Sequence, residues 1–524
     1  MQSLEKTKLL LLPFFVGLVL MIWSWYLSYP LSAISSNDFV FNHISILYWL
    51  SLPLLLASMF LMAVTTKSNF LKWILSIGIV LTFFSLSYFY SMMPTADSQY
   101  FRGLTEYFIK TKSLDPSQLN HNYYQWSAFF VLADIVTSVS GLPLANYEFL
   151  LYTIIGVLLT TALYVYASKK HEMAGFLTVA VFFISIYYFL DYQAVPFSLA
   201  LGLLFLLFML ETQQKNTGLI ITMIVLYASL LITHLFVPLF FVLYLLVRSL
   251  FDRNKQNRSR YRTFFLFALV SYFLAQLTLA KFSFGQIIIN IAKAPAGYSY
   301  IASVTMAPAV SIPINVIAQF FSRTVTIAVV IICVAGSVFL LIKRKMGTLD
   351  KAIFLTGVIY ALLGTVLSTL GERAIAIFFI PLSWGAAYLF KSRFRRYFIG
   401  VLLVLLILFL FIPLHQSFGT EIPFQTRETY IADNFFIDHY NWENPGLVVS
   451  DFRTNTYLAA KLSVTEYIQP WLQIGEKADA ILYSPQFVGL ALGNYSSMES
   501  LSQGEKLNLV YNDGFSYVLI NGQH

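Results

Sequence analysis

Apolar blocks of about 20 residues, the length needed to cross a bilayer as a helix, alternate with short polar connectors over most of the chain. Thirteen such blocks predict transmembrane helices, at 9–29, 45–65, 71–92, 148–167, 174–191, 195–210, 218–233, 235–250, 263–282, 324–342, 352–370, 374–390 and 397–413. The seventh and eighth are short and share the hinge "THLFVP", so they read as one pair that re-enters or tilts. The first, flanked by Lys6 and Lys8, is long for the apolar core of a signal peptide and reads as a retained anchor.

Two connectors on one side are long. In 93–147, "PTADSQYFRGLTEYF" puts Tyr100, Phe101, Leu104, Tyr107 and Phe108 at helical spacing behind Asp97. This predicts an amphipathic helix over 98–110 at the membrane surface, with its aromatic rings at the depth that suits them. Arg102, Glu106 and Lys110 recur every fourth residue on another face and are expected to pair along the helix. A second interfacial helix is expected within 125–143, ended by Gly141-Leu142-Pro143. The other long connector, 283–323, is rich in Pro, Ala, Ser and Tyr and reads as a mobile loop.

After residue 413 the pattern changes. "ETYIADNFFIDHYNW" predicts a helix, "GLVVSD" a buried strand, and "KLNLVYNDGFSYVLING" a hairpin around Asn512-Asp513-Gly514. Residues 414–524 thus form a small α+β domain, on which Asn494 opens an Asn-Tyr-Ser glycan acceptor triplet.

Composition agrees with a polytopic all-α membrane protein. Of 524 residues, 58% are hydrophobic and 11% charged, against roughly 25% charged in soluble domains. Mean hydropathy is +0.71. The net charge of +8 does not point to nucleic acid, because of where the charges lie. With the N-terminus inside and sides alternating, 21 of the 33 Lys and Arg residues fall in short inside segments, seven in outside loops and five in the tail. That is the positive-inside pattern, and it puts the C-terminal domain outside. The basic stretch 248–262 reads as a topology determinant or an anionic-lipid contact. The single cysteine, Cys333, excludes a disulfide within the chain.

Ionisable residues gather at the span ends assigned outside: Asp97, His121, Asp134, Glu148, Asp191, His234, Lys281, Glu372 and Arg373. Charges near hydrocarbon are costly and often functional. Asp97 is placed to cap a helix, and equally to act as a general base or metal ligand just above the membrane. Arg373 suits bidentate contact with phosphate oxygens, or an interfacial pair with Glu372. His234, in the hinge, suits contact with a leaving group or a structural hydrogen bond. Tyr100, His121, Asp134, Tyr192, Gln193 and Glu372 are candidates to line the same cavity, and Asp134 is also expected as a buried partner of one of the cations. No phosphate-binding loop, dinucleotide fingerprint, zinc-protease motif or nucleophile elbow is present, so no nucleotide cofactor is expected.

The stretches "PTADSQYFRGLTEYFIKTKSL" and "HNYYQWSAFFVLADIVTSVSGLPL", followed by "ITHLF" and "GERAIAIFFIPLSWGAA", resemble the GT-C superfamily of membrane glycosyltransferases. The likeness covers most of residues 70–413. It implies a polyprenyl-phosphate-linked sugar as donor, a glycan, lipid or protein as acceptor, Asp97 as base, and Arg373, His234 and Lys281 on the donor phosphate. Two departures accompany it. The family's catalytic loop usually follows the first span, where this chain offers only Asp38; choosing Asp97 makes residues 1–70 two extra spans ahead of a 71–413 core. The tail also lacks the Trp-Trp-Asp-Tyr-Gly motif of oligosaccharyltransferases. A divalent metal ion at Asp97 stays open, since no second acid adjoins it. Two alternatives stay open as well: a polymerase or ligase of cell-surface glycan, and a non-catalytic transporter or scaffold.

Overall fold

The computed structural model describes residues 2–29, 40–90, 96–112, 125–171, 173–186, 195–211, 217–252, 254–280, 313–366, 368–390, 395–417, 427–440, 448–450, 468–469, 480–483, 507–512 and 517–521. A helix lies on each of the thirteen apolar blocks. Among the described residues, five helices are long and apolar enough to cross a membrane by length and composition, and several shorter apolar ones accompany them, which points to a membrane protein. Helices satisfy their own backbone groups, the condition hydrocarbon imposes.

The N-terminal part holds α1 (Gln2–Ser28), α2 (Val40–His43), α3 (Ile46–Thr65) and α4 (Asn69–Phe83). The Ser45 and Ser68 hydroxyls cap α3 and α4 by accepting from the backbone N–H groups of Leu47 and Leu71. The third apolar block was expected to be helical to residue 92. Its α-helix instead gives way to a 3-10 turn over Ser85–Phe89, where Ser85 and Tyr152 anchor the chain by hydrogen bonds.

Next come α5 (Ala96–Thr111), α6 (Ala128–Ser140) and α7 (Leu144–Ser168). Gly141 ends α6 in the left-handed region, φ 70°, with its N–H on the Thr137 carbonyl. Pro143 then leads straight into α7. The bundle continues with α8 (Ala174–Ile186), α9 (Pro196–Glu211), α10 (Thr217–Leu231), α11 (Phe236–Phe251) and α12 (Lys255–Thr278). At 15 residues, α10 spans only about 22 Å, so the short paired blocks are indeed two short helices about a turn.

Then follow α13 (Pro313–Ile342), α14 (Thr348–Val366), α15 (Ser368–Leu389), α16 (Arg395–Leu408) and α17 (Phe411–Ser417). Three helix starts differ most from expectation, that of α12 by eight residues. Helix α13 begins eleven residues early, taking in the end of the supposed loop 283–323, and α15 begins six early, placing Arg373 in its second turn. At the α13–α15 crossing, Gly336 and Gly385 meet backbone to backbone, and a Cβ on Gly336 would collide with the Gly385 carbonyl. Small residues permit such close helix approach in membranes.

In the tail, α18 (Arg427–His439) precedes a five-stranded sheet of order β2-β1-β3-β5-β4. Its strands are β1 (Val448–Ser450), β2 (Ile468–Gln469), β3 (Ala480–Tyr483), β4 (Leu507–Asn512) and β5 (Tyr517–Asn521). β1 runs parallel to β2 and β3, while β5 is antiparallel to β3 and β4. Ala432, Phe436 and Tyr440 on the helix side share one core with Val448, Leu482 and Val518.

Candidate active site

The candidate site is built from the helix ends that carry the expected ionisable residues. Helix α5 does not simply lie on a surface. Phe101, Leu104 and Phe108 are buried in the main core, with the Phe101 ring 6.0 Å from that of Phe129 on α6. Arg102, expected on a charged outer face, is 1% exposed. It does not pair along α5 with Glu106. Its Nε lies 3.0 and 3.1 Å from the two carboxylate oxygens of Glu148 in the second turn of α7, and its Nη2 reaches the same carboxylate. A buried guanidinium needs a carboxylate close by, and Glu148 meets that need with bidentate geometry from the next helix.

Asp97 lies in the first turn of α5, one residue inside the helix instead of at its cap. A carboxylate there is favoured by the helix dipole. Tyr100 is half-buried, its ring edge-on to Phe101 at 5.3 Å. At the far end of α5, Lys112 Nζ pairs with Asp134 Oδ1 at 2.5 Å, and Ser138 donates to the same oxygen at 3.0 Å. Asp134 is therefore not the buried partner expected of it, because the lysine it meets is largely exposed. The Lys112 hydrogen bond holds the Asp134 carboxyl below the usual carboxylate range.

The hinge between α10 and α11 closes the other side. The Ala128 N–H at the start of α6 donates to the Ile232 carbonyl at 3.0 Å. Trp126, Leu235 and Ala280 pack together, which brings the end of α12 to the hinge. The Tyr360 hydroxyl on α14 donates to the Phe236 carbonyl at 2.9 Å. His234 is buried at this meeting point, 5.5 Å ring to ring from Phe197 at the start of α9. Its Nδ1 accepts from the Phe236 N–H at 3.1 Å. That bond assigns the proton of the neutral ring to Nε2, which is thus a donor.

The structure therefore brings together α5, α6, the start of α7, the start of α9, the hinge and the end of α12. Glu372 and Arg373 lie on α15, which follows directly from α14. Asp38, His121, Asp191, Tyr192, Gln193, Lys281 and the Asn494 triplet lie outside the described residues. Among the described residues, no three His, Cys, Asp or Glu side chains converge as a metal site would require.

Sequence reasoning missed the partnership of Arg102 with Glu148. The available signal was an arginine inside a strongly aromatic helix and a glutamate at the mouth of the next apolar block. It also missed two polar clusters at the opposite helix ends. In one, Lys170 pairs with Asp350 and lies over the rings of Tyr166 and Trp384, at 4.1 and 4.6 Å. In the other, Arg248 meets Tyr261 at 2.7 Å, Asp252 at 3.3 Å and Glu211 at 3.6 Å.

No protein-family model matches the chain, and no curated protein matches it. Among solved structures, the chain is similar to the apo crystal structure of ArnT from Cupriavidus metallidurans, with 12% identity and a TM-score of 0.43, over 86% of this chain and 98% of that one.

Proposed function

We propose that the chain is an integral-membrane glycosyltransferase that moves a sugar from a polyprenyl-phosphate-linked donor to an acceptor hydroxyl. The observation that supports this reading most is the anchoring of α5. The helix that carries Asp97 is held in the bundle by a buried ion pair, beside a corner that also holds His234. A base for this reaction must keep a constant height relative to a lipid phosphate.

In this reading the Asp97 carboxylate takes the proton of the acceptor hydroxyl. The acceptor oxygen forms a bond to the anomeric carbon, and the bond from that carbon to the donor phosphate oxygen breaks. The lipid phosphate leaves with the electron pair. Arg373, Lys281 and the His234 Nε2–H oppose its growing negative charge. The positive-inside count supports this reading, since it puts the candidate site on the outer face, where a lipid-linked donor serves and soluble nucleotide sugars do not reach. Purified wild type and Asp97→Asn, assayed with a panel of polyprenyl-phosphate sugars, test the proposal. Transfer by the wild type and its loss in a folded variant are expected. Full activity of the variant removes Asp97 from the mechanism.

A further inference from the structure

Helix α1 plays no part in that reaction, yet its surface marks a level along the bundle. Only 11% of its apolar stretch, Leu9–Ser28, is buried. One stripe packs on α3 and the turn before it. A Cβ on Gly17 would press on the Leu55 side chain, the Ser51 hydroxyl donates to Met21 Sδ at 3.7 Å, and Ser28 Oγ accepts from the Ser45 N–H at 2.9 Å. The rest of the circumference is open, and its chemistry changes along the axis. Leu9, Leu12, Phe15, Val19 and Ile22 are exposed groups that suit hydrocarbon. Over Trp23–Tyr29, about 9 Å of rise, the exposed side chains become Trp23, Trp25, Tyr26 and Tyr29, with Leu27 among them.

Each of these rings joins an apolar body to an N–H or O–H that is costly to leave in hydrocarbon. Tyr26 is 79% exposed, so its hydroxyl requires water or a lipid headgroup. From Lys8 to Tyr26 the helix rises about 27 Å, close to the roughly 30 Å thickness of bilayer hydrocarbon. The rings are also tied to the helix that carries Asp97. Trp25 Nε1 donates to the Tyr88 carbonyl at 2.9 Å. The Tyr88 and Thr153 hydroxyls share a hydrogen bond of 2.8 Å, and the Tyr88 ring lies 6.2 Å from that of Phe149 on α7. Phe149 follows Glu148, whose carboxylate holds Arg102 of α5. The rise on α7 from Thr153 to Glu148 is about 7 Å.

We infer that Trp23, Trp25, Tyr26 and Tyr29 form a collar that docks in the phospholipid headgroup layer and so sets the height of the bundle end that carries α5. A lipid surface is the partner that takes aliphatic groups along the helix and amphipathic rings at one level of it. The consequence for the Asp97 carboxylate rests on the proposed function, whereas the collar does not.

The test uses the full chain with Cys333→Ala, spin-labelled at Phe15→Cys, Tyr26→Cys or Lys110→Cys, all exposed positions. Each is reconstituted in vesicles of dioleoyl phosphatidylcholine and dioleoyl phosphatidylglycerol. Depth is read as the ratio of collisions with oxygen, which partitions into hydrocarbon, to collisions with a nickel chelate, which stays in water. The ratio is expected to be high at position 15, several-fold lower at position 26, and no higher at position 110 than at 26. Trp23→Leu with Tyr29→Leu leaves the α3 stripe intact and lengthens the aliphatic stretch, so the bundle end should sink and the ratio should rise at both 26 and 110. A ratio at 26 equal to that at 15, or equal to that of a label free in water, overturns the collar without any ring variant. A ratio at 110 as high as that at 15, or one that stays fixed while that at 26 rises, overturns its hold on α5. None of these readings needs transfer, so a chain that moves no sugar overturns the proposed function and not the collar.

Discussion

Arg102 on α5 reaches both carboxylate oxygens of Glu148 on α7, with Nε at 3.0 and 3.1 Å and both side chains buried. This ion pair ties a connector helix to a core helix. Removing one side chain breaks a buried ion pair, at a cost of about 3–5 kcal/mol. Arg102→Met and Glu148→Leu should each lower the thermal unfolding temperature in detergent strongly. The double variant should recover much of the loss, because it buries no charge. Additive losses in the double variant would show that the two side chains act independently.

Asp97 separates a structural from a chemical role. Asp97→Ser removes only a first-turn carboxylate, which contributes about 0.3–1 kcal/mol through the helix dipole, so it should leave the unfolding temperature close to wild type. If the carboxylate accepts the proton, transfer should fall by roughly 10²–10⁴-fold, the usual contribution of a general base. A serine variant with wild-type turnover leaves Asp97 as a helix-end residue.

His234 has two nitrogens with different expected duties. Asn places its amide oxygen near the Nδ1 position and retains an acceptor for the Phe236 N–H, but it loses the Nε2 donor. His234→Asn should therefore fold like wild type and transfer poorly. Gln reaches the Nε2 position instead and should lose about 1 kcal/mol of stability with the local hydrogen bond, while keeping more activity. Paired melting curves and turnover assays decide the matter, and the reverse order would assign the ring to structure alone.

Asp134 is expected to be dispensable for chemistry. Its folded-state carboxyl lies below the usual value of 3.8 because Lys112 donates to it. A carboxyl lowered on folding contributes stability above its unfolded value and loses it as pH falls through the folded one. Wild type and Asp134→Asn should therefore differ slightly in unfolding temperature near neutral pH and converge in strong acid. Salt should narrow the gap, since the lysine is exposed. Activity should be unchanged, and a large loss would return Asp134 to the site.

Gly336 tests the crossing that seats α15. A leucine there cannot fit against the Gly385 backbone, so Gly336→Leu should separate α13 from α15 and lower the yield of folded protein. Gly336→Ala also collides and should do the same less severely. Normal melting of the leucine variant would mean that the two helices do not cross at these glycines.

The sequence alone determined where helices form. An apolar block is a local property, and hydrocarbon leaves the backbone within it little choice but helix. The stop at Gly141 was readable for the same reason, because turn chemistry lies in adjacent residues, and so was the antiparallel pairing of β4 with β5. Tertiary structure alone decided which charge meets which. Arg102 looked like part of an exposed i, i+4 series, yet its partner lies 46 residues away, and no periodicity carries that distance. The same holds for Lys112 with Asp134 and for the hinge that delivers His234 to the start of α6. Helical spacing reports which side chains share a face. Which face is buried, and against what, depends on helices packing together, and the cost of an unpaired buried charge then selects the partner.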